Sequence, residues 1–502
     1  MSEGSRLVER TRKYALVLVC LCAAAAMTVA SAAPAAAKTG AQRGGAQAGR
    51  LDPSFGKGGK VTVGFPAGNT GSASPQYELP FSFTPGHLEM AKAPGDKTVV
   101  AGATKIVRFL ANGKLDKSFG SGGVMAVPRP DGAVFVLASA AVDSAGRIVL
   151  AGVRRPVPTN ATPDPVLSSA TVMRFNADGS PDAGFGSGGT LVTNFNLPAP
   201  KAAGGSYPGA SVGIANLAID SQNRILITGG VVTELSCTRF VNSEGFVTRL
   251  TDSGAVDPNF GFHLVEGLAR VGQIEPRPSG YLALASGGPL CSGEEGPKSV
   301  MIGIDPNGNV DPGFGSFGFR TLDFAFPPAM AVTQVGKVLL MDKDPYKISI
   351  GKGKKEHRVR VQTIEQLLPS GAADPSFRRI GRVNVFLPKH GSLSTLAVDS
   401  SGRIVVAGRL TKRISKSPKN KLRRSLFLVS RLNADGSTDR TFGNHGSLTT
   451  AFGGPTDSFA TEALTAGGRI LVGGGISGPK FGSGGGYAIA RYLGDPQGKK
   501  RR

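Results

Sequence analysis

From about residue 49 to residue 496 the chain alternates short apolar runs with turns rich in Gly, Asp, Asn and Ser. The strongest run is apolar on both faces: Arg147 to Gly152, Arg224 to Gly229, Arg403 to Gly408 and Arg469 to Gly473. Weaker copies stand at Lys97 to Gly102, Tyr281 to Ser286 and Lys337 to Met341. A strand buried on both sides has this pattern, because neither face meets water. A small-apolar run ending in Asp precedes it, as in Ala138 to Asp143, Asn216 to Asp220 and Leu393 to Asp399. An alternating run follows it, as in Ile106 to Leu110, Val172 to Phe175, Phe246 to Leu250, Met301 to Ile304, Thr363 to Leu367, Leu428 to Leu432 and Ala488 to Tyr492. A shorter strand after a Gly pair opens each unit, as in Lys60 to Phe65, Thr190 to Phe195 and Arg382 to Phe386. The joining turns, Asp143 to Gly146 and Ala434 to Gly436 among them, carry residues that tolerate positive φ and bond their own backbone.

One anchor punctuates the pattern: Gly, two residues, Asp, two residues, Phe. Its copies carry Asp52 and Phe55, Asp116 and Phe119, Asp182 and Phe185, Asp257 and Phe260, Asp311 and Phe314, Asp374 and Phe377, and Asp439 and Phe442. Successive spacings are 64, 66, 75, 54, 63 and 65 residues. Seven units of four antiparallel strands predict an all-β fold, a seven-bladed β-propeller. A solenoid is the runner-up, but it would want polar caps. The last unit runs out at Gly494-Asp495-Pro496 without an anchor, and the first anchor, at Gly49 to Phe55, stands ahead of any complete unit. The N-terminal segment is therefore expected to complete the last blade.

These anchors, with Arg403 to Gly408 and Arg431 to Gly436, resemble the delta-60 repeat of bacterial surface and secreted proteins over residues 49–496. The resemblance implies a propeller-like β fold and export, and implies no characterised activity. Two units depart from it. Gly303 and Gln366 stand where Arg108, Arg174, Arg249 and Arg431 stand, and Phe377 is followed by Arg-Arg-Ile-Gly381. Those two blades are expected to be irregular.

The N-terminus reads differently. Arg6, Arg10, Arg12 and Lys13 precede an apolar stretch from Tyr14 to Ala30 and a small-residue site at Ala30-Ser31-Ala32, the pattern of a secretory signal peptide over residues 1–32. Ala37 offers a second cleavage site, and an uncleaved anchor is the alternative. At about 17 residues the stretch is at the short limit for a span, so cleavage would leave no transmembrane anchor. Residues 33–48 read as a flexible linker and residues 497–502 as a basic tail. The expected location is secreted or cell-envelope associated. Of the four cysteines, Cys237 and Cys291 lie outside the leader. They fall in equivalent loops of adjacent units, and in an oxidising compartment suggest a disulfide between neighbouring blades.

The net charge of +23 draws the protein toward anionic partners and says nothing of fold. Its densest segments are two insertions in the same inter-strand loop of consecutive units, Lys347 to Arg360 and Arg409 to Arg424. They supply the candidate anion-binding residues Lys352, Lys354, Lys355, Arg358 and Arg360, and Lys412, Arg413, Lys416, Lys419, Lys421, Arg423 and Arg424. The expected partner is an anionic cell-envelope polymer or acidic glycan. Export makes nucleic acid a less natural target, and a monomer is expected. The repeated Asp is expected to bond its own turn and set the Phe as a core wedge rather than to hold a metal. An exposed Arg–Asp pair there would add at most about 1 kcal/mol. The five histidines share no repeat position, and no Gly-x-Ser-x-Gly elbow occurs, so no catalytic residue, metal or cofactor is assigned. The expected role is a binding or scaffold module; a propeller-type hydrolase or lyase with its site in the axial funnel is the alternative.

Overall fold

The structure is a computed structural model that describes residues 48–65, 88–129, 133–155, 168–197, 201–202, 211–235, 242–287, 299–323, 329–342, 344–351, 356–378, 380–413, 423–453, 457–478 and 485–495. The expected leader, the rest of the expected linker, the expected C-terminal tail, Cys237, Cys291, Lys352, Lys354, Lys355, Lys416, Lys419 and Lys421 lie outside these residues.

The described residues form seven antiparallel sheets, each with a core of four strands. Blade 1 spans residues 88–126, blade 2 residues 134–193, blade 3 residues 211–265 and blade 4 residues 270–321. Blade 5 spans residues 329–387 and blade 6 residues 391–450. Blade 7 takes three strands from residues 457–493 and its fourth from Lys60–Gly64. The first strand of each blade packs on the first strands of its two neighbours, and blade 7 packs back on blade 1. The ring therefore closes, and the first strands surround its axis.

The sequence unit is offset from the blade by one strand. The short strand that opens each unit is the outer edge of the preceding blade, so the first unit has no blade of its own to complete. Residues 60–64 pair with Gly486–Ala490, and Gly49 N–H and Asp52 N–H donate to the carbonyls of Leu493 and Arg491 at 2.7 and 2.8 Å. The two ends of the propeller are thus held in one sheet, as the unpaired first anchor predicts.

Seven apolar clusters fill the seven seams between blades, one per seam. Ile148 and Leu150 pack toward blade 1 while Val149 and Ala151, on the opposite face of the same strand, pack toward blade 3. That is why the second strand of a blade is apolar on both sides. Each anchor Phe is buried in the seam that follows its blade: Phe119 between blades 1 and 2, Phe442 between blades 6 and 7, Phe55 between blades 7 and 1.

Blade 4 shifts register between Val271 and Ile274, as the first two strands of blades 2, 3, 6 and 7 also do, and blade 5 carries an additional strand, Tyr346–Ile350, paired with His357–Val361. A further irregularity, not expected from the sequence, lies at the anchor of blade 3. In six copies the residue after the Phe donates its N–H to the turn of the next blade, as Gly120 does to Asp178 O at 2.8 Å. In blade 3 the Gly261 N–H turns back to Asp257 O instead. In five of those six copies the residue is glycine at positive φ; at Gly120 a Cβ would lie 2.4 Å from Val124 O. Arg378 adopts the same left-handed backbone in blade 5, with φ 51°.

If the N-terminal segment carries a full share of the closure, Phe55→Ala and Phe442→Ala lower stability alike. Each is expected to cost about 3–5 kcal/mol, the usual cost of removing a buried Phe side chain, read from urea denaturation midpoints. A Phe55→Ala loss several-fold smaller than that of Phe442→Ala would show that the terminal strand is dispensable.

Candidate functional site

Three features could carry function: the repeated anchor, the axial funnel and the basic rim. At all seven anchors an Asp Oδ1 accepts the backbone N–H two residues on, as in Ser118 N to Asp116 at 3.2 Å and Asn259 N to Asp257 at 2.9 Å. The other oxygen takes a cation. Nε of Arg108, Arg174, Arg249, Arg431 and Arg491 donates to Oδ2 of Asp116, Asp182, Asp257, Asp439 and Asp52 at 2.7–3.0 Å. The same guanidinium lies over the anchor Phe, 4.6–4.8 Å from its centroid. Its Nη1 reaches into the next blade, to Ala177 O, Asp252, Pro306 O, Gly494 O and Ala111 O respectively. The arginines are buried and the carboxylates buried or half-buried: Arg431 is 0% exposed and Asp439 5%. The bound for an exposed pair therefore does not apply to them. Paired cations and hydrogen-bonded amides hold the carboxyls of Asp52, Asp116, Asp257, Asp374 and Asp439 below the ordinary range against the opposing effect of burial.

Both departing copies keep a cation on the anchor Asp. Where Gly303 replaces the third-strand Arg, Arg277 enters from the end of the first strand of blade 4. It donates to Asp311 at 2.5 Å, reaches Pro369 O of blade 5 at 2.9 Å, and covers Phe314 at 5.3 Å. The missing side chain makes the room, since a Cβ on Gly303 would lie 3.2 Å from Arg277 Nη2. Where Gln366 replaces Arg, Asp374 keeps the cation that opens the second strand, Lys337 at 2.7 Å, as Asp116 keeps Lys97 at 2.9 Å and Asp52 keeps Arg469 at 2.7 Å. Sequence reasoning missed Arg277 because it sits outside the repeat pattern; the exchange of Gly for Arg at 303 was the available signal.

The funnel is lined by first strands that carry no ladder between them, so side chains join them instead. Gln273 of blade 4 bonds Met330 N and O of blade 5, and from the third strand of blade 5 Gln362 bonds Leu393 N and O of blade 6. Ser394 donates to Ala460 O of blade 7 at 2.6 Å, and Glu462 accepts from Met90 N–H of blade 1. Burial and the neighbouring Glu89 push the Glu462 carboxyl well up, and burial together with Glu462 pushes the Tyr487 hydroxyl up. Glu275 is pushed up to about 7 by burial, against a hydrogen bond from Gln273. At one mouth a polar cavity of about 340 Å³ lies between the ends of the first strands of blades 5, 6, 7 and 1, with Lys92, Asp399, Arg403, Thr465 and Asp495 on its wall. Its charges are largely spent internally: Arg403 pairs with both Asp399 and Asp495. Among the described residues no group of three His, Cys, Asp or Glu is placed to hold a metal ion.

At the opposite ends of the strands stands the basic rim. The described residues of both insertions are paired as antiparallel strands. In blade 5 Lys347 lies opposite Arg360 and Ser349 opposite Arg358. In blade 6 Lys412 lies opposite Arg424 and Arg413 opposite Arg423. Arg360 donates to Gly391 O of blade 6 at 3.2 Å. Of the candidate anion-binding residues, the structure thus brings Arg358, Arg360, Lys412, Arg413, Arg423 and Arg424 to one rim of two adjacent blades.

With this geometry in view, the chain is a seven-bladed β-propeller. The family model described as a domain of unknown function (DUF5122) beta-propeller matches residues 144–185, from the turn before the second strand of blade 2 to its anchor Phe185. The curated proteins give no match. Among solved structures, one of unknown function from Bacteroides caccae is 14% identical, covers 70% of this chain and 93% of its own, and gives a TM-score of 0.34. Another of unknown function, from Dyadobacter fermentans, is 11% identical, with coverages of 81% and 93% and a TM-score of 0.34. The PQQ domain of pyranose dehydrogenase from Coprinopsis cinerea is 9% identical, with coverages of 71% and 92% and a TM-score of 0.33. None of these assigns a ligand to this chain. Among the described residues no helix is long and apolar enough to cross a membrane.

Two outcomes follow from the anchor and the funnel. Arg431→Ala strands a buried Asp439 and is expected to cost about 3–5 kcal/mol; Arg277→Ala is expected to cost a similar amount, although it lies outside the repeat pattern. A surface-sized loss for Arg277→Ala in denaturant titrations would show that its pair with Asp311 is not a buried seam contact. Glu275 has a folded pKa of about 7 against an ordinary 4.5, so the folded state holds the extra proton. Its contribution is present below about pH 4.5 and is lost as pH rises through about 7. Glu275→Gln should therefore match the parent protein at pH 4 and exceed it in melting temperature at pH 8; equal melting at both pH values would refute the assignment.

Proposed function

We propose that this chain is an exported propeller of the delta-60 repeat kind that serves as a binding and scaffold module at the cell envelope. It docks to anionic polymer through the basic hairpins of blades 5 and 6. The observation that carries this reading is the register of cation against cation: Lys347 on Arg360, Lys412 on Arg424, Arg413 on Arg423. Like charges directly opposite one another weaken a hairpin by up to about 1 kcal/mol each. Three such pairs on neighbouring blades concentrate positive charge on one rim, the field a polyanion would meet. The insertions add Lys352, Lys354, Lys355, Lys416, Lys419 and Lys421 to the same two hairpins. The leader pattern at residues 1–32 supplies the route out of the cytoplasm.

The test is co-sedimentation of the mature protein with purified cell envelope across a salt series. Beside it runs a variant with those six lysines changed to Gln. Binding is expected to fall roughly tenfold or more between low and physiological salt, as polyanion contacts do, and to weaken in the variant. Binding that ignores both salt and the six lysines would defeat the electrostatic reading.

A further inference from the structure

Successive strands of a blade run in opposite directions, so the turn after the first strand and the anchor loop after the third stand at one end of the blade, opposite the basic hairpins. Three side chains at that end stand apart. Phe317, Ile380 and Val335, at 84%, 72% and 69%, are the most exposed large apolar residues among those described. All three belong to two adjacent blades. Phe317 and Ile380 are the third residues after the anchor phenylalanines Phe314 and Phe377, so they hold the same place in the loops of blades 4 and 5. Val335 lies in the first turn of blade 5. Contacts beneath link it to the Phe317 loop: Gly315 N–H donates to Ser370 O at 2.8 Å, and a Cβ on Gly336 would lie 3.5 Å from the exposed Pro369 and Pro278.

The repeat does not require these residues. In blades 7, 1 and 2 the place of Phe317 is held by Gly58, Gly122 and Gly188 at φ 60°, 65° and 59°. A Cβ on any of the three would meet nothing within 4 Å, so the position looks into open solvent. Phe317 keeps the left-handed backbone, φ 53°, with a side chain that disfavours it. The loop holds it there: Ser316 N–H donates to Phe319 O and Gly318 N–H to Phe314 O, each at 2.8 Å. A strained backbone that carries an aromatic ring into water adds nothing to the core, and such outliers gather where function over-determines them.

We infer that this end of blades 4 and 5 inserts into the interface of an anionic lipid bilayer, with Phe317 and Ile380 as its wedges and Val335 beside them. The inference goes beyond polymer docking and is independent of it, since the basic rim stands at the other end of the strands. The tips favour a bilayer over a protein socket. Phe317 and Ile380 each project from a separate loop, and a fluid interface admits both without a matching pocket. Charge agrees. In the anchor loops of blades 4 to 6, residues 311–318, 374–381 and 439–446, the aspartates Asp311, Asp374 and Asp439 are spent on Arg277, Lys337 and Arg431. The other charged residues of these loops are Arg378, Arg379 and Arg440, of which Arg378 and Arg440 are exposed. Asp435, in the turn before the last loop, has its carboxyl drawn down by Ser437 and by Arg378, and offsets part of that charge. The balance is cationic, as suits apolar anchors set among anionic headgroups.

The chain contains no Trp, so Phe317→Trp places a single fluorescent reporter at one tip. Phe386→Trp places one on another exposed side chain of blade 5, toward the opposite end. The probes are phosphatidylcholine vesicles with and without phosphatidylglycerol. The expected result is a blue shift of the Phe317→Trp emission on adding vesicles, quenching by lipids brominated in the acyl chain, and an unchanged Phe386→Trp spectrum. Vesicle co-sedimentation should fall roughly tenfold or more in the Phe317→Ser, Ile380→Ser double variant and less than about threefold in Phe386→Ser. The parent should bind more tightly where phosphatidylglycerol is present. Phe317→Gly restores the residue of blades 7, 1 and 2; it should melt no lower than the parent and still lose vesicle binding. A lower melting temperature for Phe317→Gly would make the ring part of the fold and overturn its role as a wedge. No vesicle binding by the parent, binding that survives the double variant, or binding that leaves the Phe317→Trp emission unshifted overturns the inference. A blue shift that grows with protein concentration in the absence of vesicles assigns the tips to a second copy of the chain and overturns it too. None of these outcomes bears on polymer docking, which the lysine variant reads at the other end.

Discussion

A buried guanidinium that must find three partners at once is the constraint on which the ring depends. At five of the seven seams a third-strand Arg spends one donor on the anchor Asp, lays its plane on the anchor Phe, and sends another donor into the next blade. No single blade can satisfy it. A blade alone would leave the charge half-solvated, the Phe ring bare and its flanking cluster open. The latch therefore couples ring closure to the desolvation of an ion pair, whose attraction strengthens as water leaves. Removing one partner is costly because the other stays buried. This explains why seven ion pairs that read as ornaments in sequence are sited at the seams and not on the surface.

The offset between sequence unit and blade follows from the same device. The anchor lies between the third and fourth strands, so its Phe fills the seam to the next blade while its Asp holds the Arg of its own blade, whose free donor reaches forward into that blade. A chain cut at this point has its anchor at one end and the receiving Arg491 at the other, and the two meet through Asp52. Arg469 donates to the same carboxylate at 2.7 Å. Closure is then chemically the same as any internal seam, with the addition of the ladder from Lys60 to Gly64.

Much of this was legible because repetition multiplies a weak signal. The two-sided apolar run, the anchor and the stray first copy together specify the number of blades, the strand order and the meeting of the ends. What sequence could not convey were contacts that break the period. Arg277 replaces the Arg missing at 303 by approaching from another strand, so no alignment of units finds it. The buried state of the Arg–Asp pair needs the neighbouring blade, which lies a full unit away. Gln273 and Glu462 tie first strands together across seams, Gln362 ties a third strand to the first strand of the next blade, and in sequence they are three unrelated polar residues. Blade 3 misled in the opposite sense, since its Asp-x-x-Phe is intact while the turn after it lacks the donor to the next blade.

The rim shows how a repeat fold converts an insertion into a surface. Every propeller seam already fixes two sheets face to face, with even residues of one strand opposed to even residues of the next blade here. Lengthening the second and third strands of two consecutive blades extends that opposition past the end of the apolar core. At Leu410 the seam is still buried, and at Lys412, two residues on and on the same face, it is exposed. The transition from core to charge therefore happens without any change of backbone direction. The position of the two insertions in adjacent blades, more than their charge, is what gives the rim a geometry.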